Sequence, residues 1–158
     1  MSVDFAVTNQ EDITWVGRHM RADDVREVAA SGDRNPQNAL LASVNASRES
    51  FTAFVDGEPV AIFGVAGGTL MRPVVSPWLL GTDKLFDNKI AFARHSREVI
   101  ETWAEEYGRM ENFVDARNLL SINWLKWLGF TIHGTKPFGP YGLPFHRFTW
   151  ERKQCVTQ

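Results

Sequence analysis

Residues 118–130 read Asn-Leu-Leu-Ser-Ile-Asn-Trp-Leu-Lys-Trp-Leu-Gly-Phe. Their types dictate a strand end, a short helix and a return. Asn118 follows the strand candidate ENFVDAR (111–117), and its side chain suits the cap of the next helix. SINWLKWL (121–128) carries the apolar stripe Ile122, Leu125 and Leu128, spaced to face one core. Gly129 accepts the left-handed backbone that ends a helix, and Phe130 opens the next strand as a core residue. Trp124 and Trp127, three apart on this helix, are predicted to occupy different environments, at least one of them partly exposed.

Working outward, the flanking segments supply the rest of a sheet. VDFAVT (3–8) alternates as a first strand, and Asn9 can cap a helix from Gln10, with Glu11 and Asp12 at its positive end. ADDVREVAAS (22–31) is a second helical stretch that stops at Gly32. Asn35-Pro36 opens a third, NPQNALLASVNAS (35–47). SFTAFVD (50–56) and PVAIFGVAG (59–67) flank the Asp56-Gly57 hairpin signal. VVSPWLLGT (74–82) reads as a strand that Pro73 and Pro77 mark as an edge or a bulge. Asn88–Tyr107 is the longest helix, with Phe92, Val99, Ile100, Trp103 and Tyr107 on its apolar face, Asp87 or Asn88 as cap and Gly108 at its end. FTIHGTKPF (130–138) and PFHRFTWER (144–152) are two last strands around the turn-rich Gly139–Gly142. Strands and helices in this order predict an α/β fold, a mixed sheet with helices on both faces.

Composition narrows the class. The chain has 158 residues, 44% hydrophobic and 23% charged, which suits one continuous domain over 1–158 with a sizeable core. Seventeen Lys and Arg against nineteen Asp and Glu leave a net charge of −2, so nucleic acid is not an expected partner. No apolar run approaches the ~20 residues of a bilayer span. The first ten residues carry no basic-then-apolar leader pattern, and the one cysteine, Cys155, has no partner in the chain, which together suggest a soluble protein of a reducing compartment. No His, Cys, Asp or Glu cluster has metal-ligand spacing. Six Trp, two Tyr and eleven Phe read mainly as core fillers.

The segment 118–130 resembles the strand–helix–strand signature Asn-x-x-Ala-x-x-[Leu/Phe]-Tyr-x-x-x-Gly-Phe of the GNAT (Gcn5-related N-acetyltransferase) family. The element order is similar to that family's as well. The resemblance implies a mixed, mostly antiparallel twisted sheet of about six or seven strands. It also implies that the strands near 74–82 and 110–117 lie side by side and splay apart at one end. A narrower resemblance, over PWLLGTDKL (77–85), the long helix, ENFVDARN, INWLKWLGF and the hairpin VDGEPVAIFGVAGG, is to the GNAT-like internal virion proteins of short-tailed phages. It implies a phage virion or host protein as partner and the virion or host cytoplasm as location.

An enzyme of this family holds coenzyme A on a glycine-rich turn before the long helix, aims a strand N–H at the thioester, and uses a base and an acid. The corresponding stretch here has no glycine between Gly81 and Gly108, and carries Lys84, Lys89, Arg94, His95 and Arg97. These cations read either as an anion site or as a solvated basic face offset by Asp83, Asp87 and Glu98. The family's acid, a Tyr, falls at Leu125, which has no proton to give. His133, His146, Asp83 and Asp115 are unspecific candidate bases, so no catalytic residue is assigned. The expected cofactor contacts are Leu80, Thr82, Arg94, Arg97 and Asn118, with Asn118 carried over from the family and Arg94 and Arg97 as a side-chain anion site in place of its glycine turn. The expectation is a virion-associated or host-interaction protein with degraded acetyltransferase chemistry and weak or absent acetyl-CoA binding. The alternative is an active N-acetyltransferase acting on a primary amine.

Overall fold

A computed structural model describes residues 2–151, so Cys155 lies outside the described residues. Thirteen elements follow one another: β1 (Val3–Val7), α1 (Gln10–Arg18), α2 (Ala22–Ala30), α3 (Pro36–Ala46), β2 (Ser47–Val55), β3 (Glu58–Gly67), β4 (Val75–Gly81), α4 (Lys84–Asp87), α5 (Lys89–Tyr107), β5 (Arg109–Asp115), α6 (Leu119–Leu128), β6 (Thr131–Phe138) and β7 (Leu143–Glu151). Their strands form one seven-stranded sheet ordered β1-β2-β3-β4-β5-β7-β6. Every pairing is antiparallel except β4 with β5.

Local signals act as their chemistry requires. Asn9 and Asp12 exchange side-chain and backbone hydrogen bonds in a capping box at α1. Asn35 caps α3 with Pro36 in its first turn, and Gly108 and Gly129 end α5 and α6 at positive φ. Two expectations are corrected. Asn88 precedes α5 without a side-chain cap bond, and the chain makes an extra short helix, α4, between β4 and α5.

Each sheet face buries its own cluster. On one face Phe63, Phe92, Ile100, Trp103, Ile122, Leu125 and Phe148 seat α5 and α6. Phe63 meets Phe5 edge-on at 5.1 Å, and Trp124 stacks on Phe92 at 5.8 Å, so the aromatics are mostly core. On the other face Ile13, Val16, Leu40, Ile62 and Leu80 seat α1 and α3. Trp124 is half-buried and Trp127 is 44% exposed under the Arg97 guanidinium, 4.0 Å from its ring centroid, so the two do occupy different environments. No described helix is long and apolar enough to cross a membrane.

Candidate active site

Parallel pairing of β4 with β5 is confined to Val75 opposite Met110. Beyond that point the strands separate. The direction of β4's backbone groups follows from its hydrogen bonds. Thr82 N–H donates to Val60 O of β3 at 2.8 Å, whereas Gly81 N–H points the opposite way, to Asp24 Oδ2 at 2.9 Å. Alternation along a strand then turns Val75, Pro77, Leu79 and Gly81 toward the opening, and Leu80 and Thr82 toward β3. Pro77 therefore sits where a missing N–H breaks no ladder bond. Its carbonyl accepts Asn112 Nδ2 from β5 at 2.9 Å, which ties the base of the opening shut. The same alternation points Leu79 N–H into the opening.

A cavity of about 420 Å³ occupies the opening. Leu79, Ile100, Trp103, Trp124 and Leu125 wall it on the α5–α6 face. Glu27, Val28, Ala39, Ser43 and Trp78 wall it on the α1–α3 face. It thus passes through the sheet, so that ligands from opposite faces can meet within it.

Glu27 is the chemically conspicuous wall residue. Its Oε1 accepts the Asp115 N–H at 2.6 Å, which holds α2 against the end of β5. Burial raises its carboxyl from 4.5 to about 8, with the nearby Asp24 and Asp115 charges adding to the rise. Asp115 differs: burial alone would raise it, but hydrogen bonds from Arg117 hold it below the usual carboxylate range.

Beside the cavity lies a buried polar knot. Asp24 accepts from Gly81 N–H and Asn118 Nδ2, and pairs with Arg21 Nε at 3.2 Å. Burial lifts Asp24 to about 6 against the pull of Arg21. Arg21 Nη2 donates to Asn118 Oδ1, and Arg21 N–H donates to Gly81 O at 2.9 Å. The network staples the start of α2 to the end of β4 and the start of α6. Arg21 is only 3% exposed, yet its Nη1 has no hydrogen-bond partner. A small void of about 30 Å³ adjoins it, lined also by Leu79, Leu85, Lys89, Phe92 and Ser121. Lys89 opens α5, whose first N–H groups carry no side-chain cap.

The expected contact residues fall in different places. Leu80 lines the cavity. Thr82 is buried, with its hydroxyl donating to Val60 O. Asn118 lies in the polar knot and caps α6 through Ser121 N–H. Arg94 is exposed on α5. Arg97 turns toward α6 and donates to Trp127 O at 2.7 Å. Leu125, at the position of the absent acid, is a buried wall residue. Of the candidate bases, His146 Nδ1 contacts His133 O at 2.6 Å and His133 Nε2 contacts Thr149 Oγ1, so both serve the β6–β7 pair. Arg21, Asp24, Glu27, Leu79 and Asn112 were not singled out by the sequence. The available signal was the stripe Asp24, Glu27, Val28 and Ser31, which puts two acids on the same helix face as Val28.

No protein-family model matches the chain, and no curated protein matches it in sequence. Solved structures do match in fold. An N-acetyltransferase from Staphylococcus aureus superposes with a TM-score of 0.69 at 17% identity, over 96% of this chain and 99% of that one. Ribosomal-protein-S5-alanine acetyltransferase from Vibrio fischeri gives 0.66 at 14% identity, over 98% and 96%. An aminoglycoside acetyltransferase in complex with ribostamycin and coenzyme A gives 0.67 at 18% identity, over 100% and 99%. Likeness at this identity is one of architecture: the chain has the fold of the GNAT acetyltransferases.

Proposed function

We propose that the protein is an acetyl-CoA-dependent N-acetyltransferase that acts on a primary amine. One observation carries this reading: a carboxyl held near neutrality, Glu27, faces a cavity that runs through the splayed sheet. The residues present fit the coenzyme. An orphaned buried guanidinium nitrogen on Arg21, whose charge is already shared with Asp24, needs one more hydrogen-bond acceptor, which a coenzyme oxygen can supply. Lys89 and the uncapped start of α5 stand beside the same void. Arg21 and Lys89 would hold the phosphate-bearing arm in place of the missing glycine turn. Bound there, acetyl-CoA supplies an acyl thioester.

The chain's own groups do the rest. Leu79 N–H stands on the edge of β4 as a preorganised donor for the thioester oxygen. Glu27, as carboxylate, takes the proton of the incoming ammonium, and its pKa of about 8 lies close enough to neutrality for that task. Leu125 donates nothing, so the departing thiolate leaves without a tyrosine acid.

A second reading, a virion-associated or host-binding protein without turnover, draws on the glycine-free stretch 82–107 and on Leu125. It places the chain in a phage virion or the host cytoplasm. Calorimetric titration with acetyl-CoA separates the two. The enzyme reading predicts saturable binding that weakens about tenfold or more in Arg21→Met, the loss of roughly one charge-assisted hydrogen bond. Absence of binding to the native chain at millimolar coenzyme favours the second reading.

A further inference from the structure

The cavity is lined mainly by apolar and aromatic side chains, Val28, Ala39, Trp78, Phe113 and Phe138 among them. Phe113 and Phe138 stack at 4.4 Å and form a flat side to the chamber. Among the described residues, the only charged side chains lining the cavity are Glu27 and Asp33. Glu27 lies against β5, and Asp33, whose Oδ1 accepts Asn35 N–H at 2.9 Å and whose other oxygen is left for a ligand, follows α2 beside the exposed Ser31. No Lys, Arg or His lines it. Arg34, the cation next along the loop, turns instead to Tyr141, whose hydroxyl it meets at 3.1 Å and whose ring it overlies at 5.8 Å.

Such walls select strongly by charge. An ammonium group is welcomed by the Asp33 carboxylate and donates its proton to Glu27 when that group is ionised, and an aromatic or aliphatic body is desolvated against the rings. A carboxylate on the acceptor would face the Asp33 carboxylate and no cation, and a second like charge once Glu27 has lost its proton. Amino acids and acidic peptides are thereby disfavoured at the level of binding, before any chemistry.

We infer that the acceptor is a small primary amine on an aromatic or other apolar body and without an acidic group, an arylalkylamine in chemical class. This inference rests on the acetyl-transfer reading for its product, but the binding preference stands on the cavity walls alone. The experiment uses matched pairs that differ by one carboxylate: phenethylamine against phenylalanine, and tryptamine against tryptophan. Binding of the phenyl pair is followed by quenching of the protein's tryptophan fluorescence, and of the indole pair by calorimetry. Transfer from acetyl-CoA is followed by thiol release.

The decarboxylated member of each pair should bind tighter by on the order of 100-fold, with a matching ratio in kcat/KM. In Asp33→Asn the ratio should shrink several-fold as one repelling charge is removed. Discrimination in binding with no acetyl transfer would leave this inference standing and sink the transferase reading. Acetylation of both members at similar kcat/KM would do the reverse. Equal or absent binding of all four compounds overturns the inference.

Discussion

Glu27 faces Asp24 from its own helix, Asp115 and its backbone from β5, and Asn118 from the start of α6. None of these neighbours is a cation, which is why burial wins and the carboxyl rises to about 8. The consequence for folding has a definite sign. A raised carboxyl holds in the folded state a proton that the unfolded chain releases. Its stabilising contribution is therefore complete below pH 4.5 and is lost as pH rises through about 8. Asp24, raised from 3.8 to about 6, acts in the same direction over that lower window. Glu27→Gln keeps an oxygen for the Asp115 N–H while removing the titration. The melting temperature of the variant, relative to the native chain, should thus be higher at pH 8 than at pH 5. A difference independent of pH would show that Glu27 titrates normally.

At the scale of elements, the opening depends on how β3 and β4 pack. Gly64 of β3 lies beneath the Trp78 ring: a Cβ there would meet Glu49 O at 2.8 Å and the indole at 3.0 Å. Trp78 is meanwhile fixed by its Nε1–H bond to Ser47 Oγ at 2.7 Å. Gly64→Ala should cost about 1–3 kcal/mol in urea unfolding, since both the strand and a cavity wall must shift. A loss below about 0.5 kcal/mol, the range of an ordinary surface change, would mean that the indole moves freely. Much of this level was legible in the sequence. Asp56-Gly57, the Asn35-Pro36 start, Gly108, Gly129 and the 118–130 segment each act locally, and the structure uses them as read. Pro77 was legible only as an edge or bulge signal; the structure turns it into the inner edge of an opening within the sheet. The site was far less legible. Arg21 and Asn118 are ninety-seven residues apart, and Glu27 and Asp115 eighty-eight. No local pattern reports that such groups will share a buried network. The basic residues of α5 drew the expectation toward Arg94 and Arg97; among the described residues, a buried guanidinium nitrogen without a partner lies on Arg21, between α1 and α2.

Over the whole molecule, a single sheet carries an α5–α6 layer and an α1–α3 layer, and the β4–β5 opening joins them through one cavity. On the proposed reading, coenzyme and amine would approach from opposite faces, with Glu27 on the amine's side and Leu79 N–H on the strand between. The proposed reading makes Glu27 the base in that chamber. It is tested most directly by the pH dependence of kcat/KM for phenethylamine acetylation, in the native chain and in Glu27→Gln. The native profile should rise about tenfold per pH unit and level near pH 8, where Glu27 loses its proton. In Glu27→Gln the rate should fall by roughly 100- to 10,000-fold, and the inflection should move up to the amine's own pKa. A variant with native kcat/KM and an unchanged profile would contradict the account.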